Sequence, residues 1–168
     1  LVIKDAKALE GILNDFQKNY EENYALMLLD KLGLNENNTA TNALIISLEE
    51  NLQATETDFT IFFRKLAKIE KNRTPLQAFE TISVSFYNLK EITVEIKKKW
   101  LFWFKDYLDC ILLENVTDED RQKAMNLCNP KYVLRNYMAQ LSIDAAEKDD
   151  YSLITELYEL LQNPYAEQ

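Results

Sequence analysis

Two cysteines, Cys110 and Cys128, are the only thiols in the 168 residues, and no histidine stands anywhere to activate them. Ser-His-Asp and Cys-His nucleophilic sites need an imidazole to take the proton, and common zinc sites need one as a ligand. Neither can be built from this chain alone. Phosphate chemistry needs a backbone cradle, and the chain has no Gly-x-Gly loop and no Gly-x-x-x-x-Gly-Lys loop. Acidic neighbours such as Glu49-Glu50 and Asp149-Asp150 could suggest paired carboxylates. Adjacent residues diverge by about 100° on a helix, so each pair reads as a solvated face. Both cysteines sit in apolar stretches and are expected to be buried thiols, since a disulfide would have no framework around it. No catalytic, cofactor-binding or metal-binding residue is therefore nominated.

Two other patterns carry chemical potential. Arg64, Lys65, Lys68, Lys71 and Arg73 surround the lone acid Glu70. Such a run can dock an acidic partner or a nucleotide, but it also reads as the polar side of an amphipathic helix, which is the simpler expectation. Trp100-Leu101-Phe102-Trp103-Phe104 spans about 500° of helix rotation, so its side chains point all round. It is expected in a core, or buried against another domain. With 28 acidic against 19 basic side chains the formal net charge is -9, which opposes non-specific binding to a nucleic-acid backbone.

The elements that must position these residues are helices. Only 2 glycines and 3 prolines are present, too few for the tight turns of a strand-rich fold. An all-α single domain of about seven or eight helices follows, at a length that suits one core. Apolar spacing predicts a helix over residues 5–32 from Leu9, Ile12, Leu13, Phe16, Tyr20, Tyr24, Met27 and Leu28, stopped by Gly33. A second helix is expected over 42–52. A third opens on Asp58 as N-cap, with Phe59, Phe62, Phe63, Leu66 and Ile69 as its stripe. Thr74-Pro75 starts another over 75–87, although the β-branched alternation of 81–87 would also suit a short strand. A long helix is expected over 90–113, then one led by Thr117 and the acids 118–120. Asn129-Pro130 reads as cap and first residue of a helix running to 148, and Asp150 as the cap for 151–162, ended by Pro164.

The last two helices should form an antiparallel hairpin. On the first, Leu134, Tyr137, Met138, Leu141 and Ala145 make a wide apolar face, and Ala139, Ser142 and Ala146 a small-residue one. Arg135 lies at the edge of the small face, with Asn136, Gln140 and Ile143 on the remaining side. A helix useful on nearly every side is expected to be sandwiched, and its polar groups then need partners. Asn129-Pro130 and Asn163-Pro164 are spaced by the ~34-residue tetratricopeptide period, but only one such unit is visible. No stretch reaches the ~20 apolar residues of a membrane span. The chain opens on Leu1 without an initiator Met, and Leu-Val-Ile-Lys has no signal-peptide character, so it reads as a piece of a longer protein.

The run Asn129-Pro130-Lys131-Tyr132-Val133-Leu134-Arg135-Asn136-Tyr137 resembles the C-terminal region of the selenoprotein O family. Ala139-Gln140, Ile143, Ala145-Ala146-Glu147-Lys148, Asp150 and the closing Asn163-Pro164-Tyr165 with Glu167-Gln168 fit the same pattern. Upstream, Lys31-Leu32-Gly33-Leu34 and Asp58-Phe59-Thr60 with Phe63-Arg64 are also similar, and the match is weakest over residues 72–113. The resemblance implies a pseudokinase that binds ATP and Mg²⁺ and transfers AMP to protein Ser, Thr or Tyr hydroxyls. Its glycine-rich loop, nucleotide-contacting Lys and Arg, and metal-binding Asn and Asp would precede Leu1, so none is carried onto a position here. The redox-active Cys or selenocysteine tail of some members would follow Gln168.

On that resemblance, residues 1–168 are expected to be a non-catalytic scaffold or substrate-docking region beside an upstream kinase-like domain. Its partners would be that domain and the protein substrates, in the bacterial cytoplasm or, in a eukaryote, the mitochondrion. Arg135, Asn136 and Gln140 are the candidate inter-domain contacts, unless they cap or bridge helices within the domain. The rival readings are a free-standing helical interaction module and, on the residues least favoured, an enzyme in its own right.

Overall fold

The computed structural model describes residues 6–167. Among them, eight α-helices follow one another: α1 (Ala6–Leu32), α2 (Thr39–Gln53), α3 (Phe59–Leu66), α4 (Pro75–Ile82), α5 (Val94–Leu113), α6 (Asp118–Cys128), α7 (Asn136–Ala146) and α8 (Ser152–Gln162). The fold is all-α and closes with the expected hairpin of α7 on α8.

Local side-chain chemistry starts most of these helices. The Asn38 carboxamide accepts the Ala40 and Thr41 N–H groups, while the Thr41 hydroxyl accepts the Asn38 N–H. That reciprocal cap extends α2 three residues earlier than periodicity predicts. Asp58 accepts the Ile61 N–H at the start of α3. Thr74 and Gln77 box the start of α4 around Pro75, and Thr117 caps α6 ahead of its three acids.

The core is built around α5, which packs on α2 and on α4. Trp100, Trp103, Phe104, Tyr107 and Ile111 are all buried, and the Trp103 and Tyr107 rings stack at 5.1 Å. Phe102 faces outward at 69% exposure, so the aromatic run wraps the helix as its rotation requires. Both polar tips of the stacked pair are satisfied: Trp103 Nε1 donates to the Leu44 carbonyl and Tyr107 Oη to the Leu32 carbonyl, each at 2.9 Å.

Arg121 of α6 is a buried cation that the charge pattern did not reveal. It donates to Tyr107 Oη at 3.1 Å and to the Ile69 carbonyl, and pairs with Asp118 at 3.3 Å. Gly33 passes directly over it with φ 68°; a Cβ there would stand 2.7 Å from Met125 Sδ. The glycine therefore serves both as the left-handed helix stop and as the site of close approach between α1 and α6.

Several boundaries differ from expectation. The helix over 75–87 stops at Ile82; a 3₁₀ turn follows, and Phe86 then pairs with Thr57 in an isolated antiparallel bridge. The β-branched alternation thus finds one partner, enough for a bridge but not a strand. Thr93 caps α5 through the Ile96 N–H, and Asn88 diverts residues 89–91 into a 3₁₀ turn. The helix expected to open on Asn129-Pro130 begins only at Asn136, because Asn129 closes α6 instead of opening α7. Its buried side chain donates backward, to the Met125 carbonyl at 2.9 Å and the Lys31 carbonyl at 3.0 Å. Asp150 does accept the Ser152 N–H at the head of α8. Both cysteines are free, but Cys110 is half-buried and Cys128 exposed, so neither is the fully buried thiol expected. Residue 5, the expected start of α1, lies outside the described residues, and Leu9, Ile12, Leu13, Phe16 and Tyr20 are exposed along its first half.

Candidate inter-domain interface

Residues 129–135 form an extended strap that leads to the α7–α8 hairpin, and residues 163–167 lead away from it. The two Asn-Pro segments meet here. The Lys131 and Tyr132 N–H groups donate to the Pro164 carbonyl at 2.7 and 3.1 Å. Even in a helix started at 131 these two donors would lack an intrahelical acceptor, and here the Pro164 carbonyl satisfies both. The spacing of the pairs thus reflects one clasp at the foot of the hairpin, not a repeat.

Two charged ties hold the clasp to the body. Buried Arg64 of α3 donates to the Asn126 and Asn129 carbonyls, each at 3.2 Å, and pairs with Glu167. Lys131 reaches the other Glu167 oxygen at 3.6 Å. On the second side, Arg135 pairs with Asp58 at 2.7 Å. Asp58 is buried and also receives the Ile61 N–H and the Tyr87 hydroxyl. Burial alone would raise its pKa, but the Ile61 N–H, the Arg135 guanidinium and the Tyr87 hydroxyl together hold it below the ordinary carboxylate value.

Three members of the basic run, Arg64, Lys71 and Arg73, are likewise engaged within the domain. Lys71 Nζ donates to the Glu114 and Val116 carbonyls, and Arg73 pairs with Glu70. Of the nominated contacts, Arg135 turns toward the body and holds Asp58. Asn136 is exposed at the first position of α7, and Gln140, also exposed, donates to Asp144 at 2.7 Å. The structure does not bring the three together. Sequence reasoning missed Asp58, Arg64 and Glu167 as partners of this region; the one signal was an Asp cap, which always leaves a second oxygen free.

Beyond the clasp, α7 and α8 pack chiefly on each other. Ser142 is the buried residue of α7, with Met138 half-buried on α7 and Leu157, Leu160 and Leu161 half-buried on α8. The expected sandwich is therefore not completed within the described residues. Tyr137 and Leu141 on α7, and Ile154 and Tyr158 on α8, form i,i+4 apolar pairs facing solvent, Tyr137 at 65% and Tyr158 at 66% exposure. A hairpin with apolar side chains on its outer faces has the character of an interface that another surface covers.

Among the described residues, no group of three or more His, Cys, Asp or Glu converges in a metal-holding arrangement, and no helix is long and apolar enough to cross a membrane.

Comparison with known proteins places this architecture. The family model described as protein adenylyltransferase SelO matches residues 1–162. The protein nucleotidyltransferase YdiU of Flavobacterium johnsoniae is 50% identical over 167 residues, covering 99% of this chain and 32% of that protein. The YdiU of Rhodopirellula baltica is 36% identical over 178 residues, covering 99% and 33%. That of Photobacterium profundum is 34% identical over 168 residues, covering 97% and 32%. The chain spans about a third of the length of these curated relatives. It belongs to the SelO family of protein adenylyltransferases.

Proposed function

We propose that these residues are the C-terminal helical region of a cytoplasmic, ATP- and Mg²⁺-dependent protein adenylyltransferase, and that they act as its scaffold. In this reading the nucleotide and metal are held by a kinase-like part elsewhere in the protein. The helical region packs against that part through the outer faces of α7 and α8, and so steadies the surface on which protein substrates land. Asn136 and Gln140 lie on the exposed hairpin and would border that contact, while Arg135 would set the hairpin's angle through Asp58.

The observation that carries this reading is the hairpin itself: tied to the body at its foot by Arg64–Glu167 and Arg135–Asp58, it leaves Tyr137, Leu141, Ile154 and Tyr158 uncovered. Burying an exposed aromatic or Leu side chain contributes about 1.5–3 kcal/mol, so a few such residues suffice to hold a domain contact. The direct test is reconstitution. The 168-residue chain should co-elute with the separately produced remainder of the protein, and Leu141→Lys with Tyr158→Lys should abolish that co-elution. Failure of the unaltered pair to associate would count against the scaffold.

A further inference from the structure

A second feature lies on the body, away from the outer faces of the hairpin. Between the second half of α1, the start of α3 and the strap is a cleft of about 270 Å³, lined by Tyr24, Leu28, Lys31, Phe59, Phe63 and Pro130 among others. Its walls are aromatic and aliphatic, and its cation is Lys31.

Lys31 is held in place from two directions. Its Nζ sits 5.2 Å from the centre of the Phe63 ring and donates to Asn129 Oδ1 at 3.2 Å. Asn129 is itself fixed, because its amide nitrogen donates to the Lys31 and Met125 carbonyls. Both partners of the ammonium are neutral, and among the described residues no carboxylate pairs with it. The acid of the adjoining groove, Glu49, is taken by the Tyr24 hydroxyl at 2.6 Å. Burial lowers the Lys31 pKa below lysine's ordinary value, with only a smaller opposing influence from Cys128. The cleft therefore presents a positioned cation, partly desolvated and uncompensated, on an apolar floor.

We infer that this cleft binds a single carboxylate carried on an aromatic or branched aliphatic group, with the carboxylate on Lys31 Nζ and the apolar body against Leu28, Phe59 and Phe63. A carboxylate fits better than a phosphate. One ammonium matches one negative charge, whereas a phosphate brings up to two charges and favours the forked donors of arginine, which this cleft lacks. The volume suits one ring or a branched chain, not a helix.

The test is a titration of the ¹⁵N-labelled chain with 3-phenylpropionate and, separately, with its uncharged amide. Saturable shifts at Lys31, Phe63 and Asn129 are expected with the acid, with affinity roughly ten-fold or more above the amide, the scale of a charge-assisted hydrogen bond. Lys31→Gln should erase the difference between the two probes. Equal response to acid and amide, shifts confined to other sites, or no saturation at millimolar acid would each overturn the inference. The acid–amide comparison in the unaltered chain decides even if the variant fails to fold.

Discussion

Asp58 and Arg135 are 77 residues apart in the chain and 2.7 Å apart in space. One side chain thus performs two tasks: Asp58 caps α3 with one oxygen and anchors the head of α7 with the other. Asp58→Ala removes both and leaves a guanidinium that is 38% exposed without its anion. The cost should be about 2–3 kcal/mol, kept below that of a fully buried pair because solvent screens Arg135. Asp58→Asn, which keeps an acceptor for the Ile61 N–H, should cost about half as much. Urea unfolding at neutral pH checks both values.

The same pair sets a pH dependence. The folded-state pKa of Asp58 lies below its ordinary value. Its stabilising contribution is therefore complete above the unfolded value of about 3.9 and lost as pH falls through the folded value. The stability gap between the natural chain and Asp58→Asn should be constant from about pH 5 to 7 and narrow below about pH 4. A gap that widens in acid would mean that Asp58 is not held ionised by these partners.

Gly33→Ala should be among the most damaging small substitutions. The position has φ 68°, and a new Cβ would meet Met125 Sδ at 2.7 Å and Arg121 Cγ at 2.9 Å. Left-handed strain costs about 1–2 kcal/mol, and displacing buried Arg121 adds to it. We expect a loss of about 2–4 kcal/mol by urea unfolding, against a gain of up to about 1 kcal/mol for Gly11→Ala, which lies inside α1 with nothing within 4 Å.

The two tryptophans should respond unequally to the same change. Trp103 Nε1 donates to the Leu44 carbonyl, whereas buried Trp100 Nε1 has no hydrogen-bond partner. Replacement by Phe removes similar volume at both sites. At Trp103 it also removes the indole hydrogen bond, whereas at Trp100 it removes a buried N–H that has no partner, so the Trp103→Phe cost should exceed that of Trp100→Phe by about 1–2 kcal/mol. Equal losses, measured by thermal or urea unfolding, would show that the indole hydrogen bond contributes nothing net.

Features of the fold were legible in the sequence where their chemistry is local. Asp58, Thr74-Pro75 and Thr117 cap helices through donors three residues away, and composition alone pointed to an all-α chain. The strap was not legible. An Asn before Pro can accept forward into a new helix or donate backward into an old one, and the carbonyl that draws Asn129 backward belongs to Lys31, 98 residues earlier. Periodicity showed that α1 has an apolar stripe but not whether anything covers it, and its first half is exposed. Arg135 was visible as a residue needing a partner, but the partner came only with the tertiary structure.

The scaffold reading is tested most directly by AMP transfer from labelled ATP to a protein acceptor, using the complete protein with Leu141→Lys and Tyr158→Lys on the hairpin's outer faces. Neither side chain is part of the domain's buried core, so the unfolding midpoint of the isolated 168 residues should move little. AMP incorporation should fall roughly ten-fold or more, as loss of about 1.4 kcal/mol or more of docking energy requires. Incorporation equal to that of the unaltered protein would contradict the account.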